Sequence, residues 1–475
     1  MAANRTIHIV HIIEQLTLGG PLNAIVGAAT HMREGIRHQV ISLLPVQRRA
    51  GEIAAEKSIL VHSAPDTARL NALLADADIV QLHFWNSPEI HDFMAGSLPA
   101  MRVVVWCHVN GRNPPHILPK SLFEFGDIVV ATAPSSLDLP VFRAANPEAV
   151  ALIPGGADFT RLADPRSRTH DGYQVGYIGS LDFCKLHASF MPMSAAIEVP
   201  GIHLLVCGSG RDRPELERQA NALNAADRFS FLGFTEDIAD ILSRIDVFGY
   251  PLCEGNHSTG ELAIQEAMYA GVPPVIFPFG GAAEIVAHGH SGIIVRNENE
   301  YSAAIARLYY MPSERKRLGE NAAREARARF GAHKSGPAME RLYEKMMAGP
   351  KRERGSAAAT QSQANNRGAW SLIRSLDGVG DTDFRCSLEP TSEDEAVAAE
   401  ERIASVSAGM ADIVLQYRLR HPDDPYLRLW VGLILRKRRR AIATAEFKAS
   451  LALGCDYPRV HRYFRDELQL FSNSD

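Results

Sequence analysis

Short apolar runs that end in glycine, histidine or proline and give way to helix-forming stretches recur along the first 300 residues of this chain. Ile7–Ile13 is one, followed by Leu18-Gly19-Gly20-Pro21-Leu22-Asn23 turning into a helix through Met32, with Gln39 to Leu44 returning as a strand. Ala77 to Trp85, Arg102 to His108, Val175 to Ile178, Ile202 to Cys207, Phe231 to Phe234 and Ile245 to Pro251 continue the series. A strand that is apolar along its whole length is buried on both faces, as happens when helices cover both sides of a parallel sheet. The alternation therefore predicts a parallel α/β architecture.

The chain has material for more than one such sheet. With 475 residues, 46% of them hydrophobic and 22% charged, two or three cores can be filled. A formal charge of −5 argues against nucleic acid as the main partner. The run MAANRT precedes a β-type strand instead of a signal-peptide core, and no stretch has the length of a transmembrane helix, so the protein is expected in the cytosol. Cysteines at 107, 184, 207, 253, 386 and 455 stand singly, without the spacing of a zinc site or a disulfide framework.

The most informative stretch is EGNHSTGELAIQEAMYAGVPPVIFPFGGAAEIV, from Glu254 to Val286. Gly260 ends a polar loop, and Glu261 to Ala270 is rich in residues that lose little rotamer freedom in a helix. Gly271 stops it and PPVIFP follows as a short buried strand. Glu266 lies on the side of that helix that also carries Leu262. Alone, it would be an ordinary solvated helix carboxylate. Beside a helix N-terminus, however, carboxylates can accept hydrogen bonds from ribose and hexose hydroxyls while the terminal amides face a diphosphate.

This region resembles the retaining glycosyltransferases of family 4, which have the GT-B fold, and the resemblance runs from about residue 5 to residue 345. Glu266-Ala267-Met268 with Ala270-Gly271-Val272-Pro273, and the turn Gly280-Gly281-Ala282-Ala283-Glu284-Ile285-Val286, match the second part of the family pattern, in which two glutamates are separated by seven residues. The first part departs from it. Strict spacing lands on Ser258; a longer loop would place Glu254 there, and Glu261 is the weaker alternative. The resemblance implies that Glu266 holds the ribose, that Glu254 holds the sugar, and that Gly260, Glu261 and Gly281 border the donor.

Val175 to His187 resembles the family segment whose arginine and lysine bind the diphosphate. Lys185 falls on the lysine, but Ser180 stands at the arginine position and brings neither charge nor fork geometry. Gly19 and Gly20 occupy the loop that family members place beside the leaving group, although an ordinary tight turn reads the same way. Cys207-Gly208-Ser209-Gly210 lacks the third glycine of a dinucleotide fingerprint, Arg213 standing there instead. His108 matches the family histidine near the donor sugar and His83 a less constant one; a satisfied structural histidine is the competing account of each.

Beyond residue 345 the texture changes. Ala348 to Arg367 is polar and reads as a flexible linker, and Glu395 onward turns helical again. Asp424 to Trp430 opens one amphipathic helix, Ala441 to Leu453 gives another, and a third is expected after Pro458. Trp430, Ala443 and Phe447 resemble about one tetratricopeptide repeat, a plain helical bundle being the equal alternative. Arg436 to Arg440 is a basic run suited to anionic lipid or an acidic partner, though a solvated loop is the default.

The expected organisation is two Rossmann-like domains facing a cleft, 1–165 on the acceptor side and 166–345 on the donor side, then a linker over 346–394 and an all-α module over 395–475. Residues 1–345 are expected to fold without the tail. The implied activity is transfer of a sugar from a nucleotide-sugar donor to a glycan, lipid-linked or small-molecule acceptor, as in polysaccharide biosynthesis. It implies retention of configuration and no cofactor or metal, and no Asp-x-Asp stands in a loop where a divalent ion would bridge a diphosphate. His108, Glu254 and Lys185 are the expected catalytic residues. The protein would be cytoplasmic, with contact at the inner membrane face or with a protein through the helical module. The alternatives are a GT-B sugar-nucleotide epimerase or phosphorylase, and a non-catalytic relative binding a glycan or protein, of which Ser180 and the altered glutamate loop would be the marks.

Overall fold

A computed structural model describes residues 6–162, 170, 172–354, 365–455, 460 and 463. The apolar runs become the strands of two parallel sheets. In the first, seven strands lie in the order Leu60–Ser63, Ile36–Ser42, Ile7–Ile13, Ile79–Phe84, Val103–Cys107, Ile128–Ala131, Val150–Leu152. In the second, six lie in the order Phe229–Gly233, Ile202–Cys207, Tyr173–Ile178, Val247–Tyr250, Pro274–Ile276, Ile293–Ile294. Both begin in the middle, add two strands to one side and then reverse to the other. The chain thus has a topological switch point in each sheet, the place where doubly wound folds open a crevice for ligands.

In the first sheet that point lies between Ile7–Ile13 and Ile79–Phe84, so Gly19, Gly20 and Trp85 follow directly from it. In the second it lies between Tyr173–Ile178 and Val247–Tyr250, which brings Gly179 to Lys185 beside the loop from Pro251 to Glu261. The second core is built from Val175, Tyr177, Val206, Phe248, Tyr250, Ile264 and Met268, among others. The first is split over the two faces of its sheet.

The division of the chain after residue 345 is less simple than expected. Helix Ala332–Met347 leaves the second domain and packs on helix Gly20–Thr30 of the first, where Met339, Tyr343 and Met346 join Ile7, Ile9, Ala24 and Trp106 in one core. The two helices approach through glycines: a Cβ on Gly336 would come within 2.8 Å of the Ala28 carbonyl oxygen. The stretch 346–394 is not a linker throughout. Arg352–Arg354 pairs antiparallel with Leu98–Met101, and the buried Arg354 guanidinium bonds Asp127 and the carbonyls of Met101 and Phe125. Arg367–Leu376 and Thr382–Leu388 are helices whose Leu372, Ile373, Leu376 and Phe384 lie in the core of the helical module. Composition underrated this region because its apolar residues are spaced for helices that only one another's faces can cover. Residues 355–364, the centre of the expected linker, lie outside the described residues.

The module continues with helices Glu393–Ile403, Ala408–Arg420, Pro425–Leu435 and Arg440–Ala452. Asp424 caps Pro425–Leu435 through the amides of Tyr426 and Leu427 and also accepts from Ala369 N, tying the start of the module to its middle. Trp430, Ala443 and Phe447 are all buried, as a tetratricopeptide repeat and a plain helical bundle would both have them. The helix expected after Pro458 lies largely outside the described residues. The module rests on the first domain through Asn86 Nδ2, which donates to Ser375 O at 3.1 Å, and through the Arg420–Asp92 pair at 2.8 Å. A bidentate Arg211–Asp412 pair reaches the second domain.

Candidate functional site

The crevices of the two sheets face each other and enclose one cavity of about 790 Å³. Gly19, Gly20, Trp85, His108 and Thr132 line it from the first domain, and Gly179, Ser180, Lys185, Tyr250, Gly260, Glu261 and Glu266 from the second. Arg49 and Glu236 form an exposed ion pair from one domain to the other, with Nη2 to Oε2 at 3.0 Å, and both line the cavity.

Most of the residues singled out in the sequence therefore meet at one place: His108, Lys185, Gly19, Gly20, Ser180, Gly260, Glu261 and Glu266. Two do not. Glu254 is exposed and lies outside the lining, because the loop after Pro251 turns it to solvent while Asn256 and Ser258 are buried against the first domain. Asn110 Nδ2 secures that loop by donating to the carbonyls of Asn256 at 2.9 Å and Ser258 at 3.2 Å. Gly281 is likewise outside the lining; its N–H donates to Ser258 O at 3.1 Å, and a Cβ there would collide with the Thr259 carbonyl. Its lack of a side chain shapes the loop from behind.

Glu261, the weaker alternative in the sequence, lines the cavity. The helix starts at Leu262, one residue later than expected, because Glu261 is its N-cap in the left-handed region at φ 31° and ψ 64°. A non-glycine residue there is strained, and such strain persists only where the surroundings hold it. Tyr250 OH donates to Glu261 Oε2 at 2.7 Å, and Lys185 Nζ stands 3.3 Å from the same oxygen. Glu261 Oε1 is buried without a partner among the described residues. Burial depresses the Lys185 ammonium, but the charges of Glu261 and Tyr177 outweigh it and leave the lysine above its ordinary range. The lysine is therefore charged at neutral pH and loses its charge only as pH rises through that elevated range.

Glu266 is also buried, at 5% exposure, on the inner side of the same helix. Gln265 is turned the other way and donates to Gly155 O at 3.1 Å, fastening the helix to the segment that joins the domains.

On the first domain, His108 stacks on Trp85 with ring centroids 6.0 Å apart and a 10° interplanar angle. Its Nε2 lies 2.9 Å from His83 Nδ1, so His83 touches the cavity histidine and is not itself in the lining. Sequence reasoning missed Trp85, Tyr250, His257 and Thr132. Tyr250 was legible as the last residue of a strand at a switch point. Trp85 and His257 come from different domains and meet edge to face at 5.6 Å, which no local pattern announces.

Two doubly wound sheets closed on a shared cleft define a protein of the GT-B class. Solved structures agree with this. The fold matches Anabaena HepE in complex with UDP-glucose at a TM-score of 0.60 and 19% identity, over 71% of this chain and 99% of that one. It matches a glycosyltransferase from Rickettsia africae at 0.60 and 13%, over 72% and 99%. Within that class, residues 161–325 match the family model of glycosyl transferases group 1, so the second domain is a group 1 glycosyltransferase domain.

Among curated relatives, the chain is 27% identical over 295 residues to a D-inositol 3-phosphate glycosyltransferase of Stackebrandtia nassauensis, covering 53% of this chain and 65% of that protein. It is 36% identical over 152 residues to a protein of that name from Streptomyces bingchenggensis, covering 31% and 32%. The chain thus spans less than two thirds of the length of either. Among the described residues no helix is long and apolar enough to cross a membrane.

Proposed function

We propose that the protein is a glycosyltransferase that moves a sugar from a nucleotide-sugar donor to a glycan, lipid-linked or small-molecule acceptor, with retention of configuration and without a metal. The observation that carries this is the meeting of Lys185, Glu261 and Glu266 on one wall of an interdomain cavity, opposite the glycine turn at Gly19-Gly20 and His108. As the glycosidic bond breaks, the departing nucleoside diphosphate gains negative charge. Lys185 and the amides at the start of helix Leu262–Tyr269 supply positive potential at that point, the helix terminus contributing about 0.3–2 kcal/mol.

Glu266 accepts from ribose hydroxyls. Glu261, through its unpartnered Oε1, accepts from a sugar hydroxyl, the role expected of Glu254. Ser180 leaves the diphosphate with one side-chain cation where the family pattern has two. The acceptor enters from the first domain. The names of the curated relatives and the UDP-glucose in the HepE structure support a nucleotide-sugar donor.

The test is a thermal-shift screen of the full chain against UDP, GDP, ADP and dTDP sugars, followed by product analysis with any ligand that stabilises. A true donor at 100 times its dissociation constant adds about 2.7 kcal/mol, and transfer or slow hydrolysis of its sugar should follow. A product that is an epimer of the donor, with nothing transferred, would assign the cleft to the epimerase reading. Failure of every sugar nucleotide to bind would overturn donor chemistry altogether.

A further inference from the structure

Four histidines form a continuous line through the first sheet. His38 Nδ1 lies 2.9 Å from His11 Nε2, His11 Nδ1 lies 2.9 Å from His83 Nε2, and His83 Nδ1 lies 2.9 Å from His108 Nε2. The strand register makes the line a staircase. Val40 is level with His11, Gln81 is level with His11 on the other side, and Trp106 is level with His83. Each histidine thus stands one strand over from its predecessor and two residues nearer the carboxyl edge. Two residues is the period that keeps side chains on one face, so all four share it. The line starts inside the sheet at His38 and ends in the cavity at His108.

Burial holds His38 and His108 down at about 4 and takes His11 and His83 well below the ordinary histidine range, neighbouring imidazoles adding to it for all but His108, His8 being the neighbour of His38. The four rings are neutral at pH 7. Four neutral imidazoles carry four N–H hydrogens, and the three N···N links use three, one each. The fourth must sit at an end, on His108 Nδ1 or on His38 Nε2.

Two observations decide which. His38 Nε2 is buried with no partner among the described residues, and a bare acceptor there costs less than an orphaned N–H donor. At mid-chain, Gln81 Nε2 lies 3.2 Å from His83 Nε2 while the Tyr343 hydroxyl donates to Gln81 Oε1, an arrangement in which the amide N–H faces the imidazole and shares its lone pair with His11 Nδ1–H. His83 Nε2 is then an acceptor, and its N–H is on Nδ1, pointing at His108. Every hydrogen of the line then points toward the cleft.

We propose that this imidazole staircase, polarised by Gln81 and Tyr343, locks His108 as the Nδ1–H tautomer and so presents a hydrogen-bond donor to an oxygen of the bound sugar nucleotide. The ligand half of this rests on the glycosyl-transfer reading; the tautomer half does not. The chain is a positioning device and not a proton conduit, since its inner end is blind and no net proton can leave through it. Tyr343 reaches the line from helix Ala332–Met347, the last helix to leave the second domain. The segment that ties the two domains together thereby sets the chemistry of a residue on the cleft wall.

The experiment reads the ring nitrogens of the full-length, 15N-labelled protein without ligand at pH 7.5, by long-range 1H–15N correlation. His108 is expected with a protonated Nδ1 and a bare Nε2. A protonated Nε2 with a bare Nδ1, or an even mixture, would overturn the proposal. In Gln81→Glu the donor facing His83 is replaced by a carboxylate, and His83 Nε2 should acquire a proton; if it stays bare, the amide does not set the polarity. Tyr343→Phe keeps the ring that fills the core and removes only the hydroxyl, so it serves where the charged variant does not fold.

Tyr343→Phe should show a mixture of the two His108 tautomers, and an unchanged His108 would overturn the role of Tyr343. With UDP-glucose, or whichever sugar nucleotide the screen identifies, Tyr343→Phe should lower the transfer rate about tenfold while leaving affinity for the bare nucleotide unchanged. Failure of every donor, with the tautomers as stated, would sink the glycosyl-transfer reading and leave the staircase standing.

Discussion

Lys185 Nζ stands 3.3 Å from Glu261 Oε2 in the wall of the cleft, the lysine three-quarters covered and the carboxylate almost wholly so. An ammonium in that position keeps donors for a diphosphate while one is spent on the glutamate. The glutamate, shared between Lys185 and Tyr250, keeps its other oxygen for a ligand.

Replacing either partner should separate those duties. Lys185→Ala is expected to lower turnover by the roughly 2.7–4 kcal/mol seen when a preorganised charge-stabilising donor is lost, and to weaken the nucleoside diphosphate. Glu261→Gln keeps a group for Tyr250 to bond but loses the charge; it should slow transfer while bare nucleotide still binds. Glu254→Ala, out in solvent, should leave both unchanged. Nucleotide affinity and transfer rate for the three variants check this, and a slow Glu254→Ala beside a silent Glu261→Gln would reverse the assignment of the glutamates.

Acid should unfold the first domain early. Burial holds the buried His38 and His91 at about 4, against 6.5 for a free histidine. A depressed pKa means that the unfolded chain binds more protons, so stability is complete above about pH 6.5 and falls as pH drops toward 4. At about 1.4 kcal/mol per unit, each such histidine withdraws up to about 3 kcal/mol over that window. Urea midpoints measured at pH 7.5, 6 and 5 should decline in order; a flat profile would show the histidines charged in the native state.

Removing the tail should do more harm than the sequence suggested. A chain ending at residue 345 loses Arg354, and Asp127 is left without the two guanidiniums, those of Arg352 and Arg354, that neutralise it. Losing hydrogen bonds to a charged group costs about 1.5–3 kcal/mol. Ending at residue 354 restores that pair but still bares the surface around Asn86 and Asp92 on which the helical module rests. The urea midpoint is expected to rise from 1–345 to 1–354 to the full chain; equal midpoints would show that the module and the strand are mere appendages.

The sequence by itself determined the class of fold, because strands buried on both faces and helices with one apolar side each carry their own periodicity. It also located much of the cleft. Gly19-Gly20, His108, Ser180 and Lys185 follow strands whose carboxyl ends must share an edge in a parallel sheet. What it left open were matters of three-dimensional neighbourhood.

Which glutamate faces the cavity depended on how the loop from Pro251 to Glu261 packs on Asn110, 146 residues from Asn256. The staircase depended on strand order and register: His11 and His38 carry no signal of their own, and His83 only a lesser family match, until those strands lie side by side. The region 346–394 read as linker because a short strand takes its partner from Leu98–Met101 and its helices find cover only in a core assembled across the module. Local periodicity is written in neighbouring residues and survives in the sequence alone. Register, loop packing and the partners of a buried charge are set by residues far apart in the chain, and only the tertiary structure brings them together.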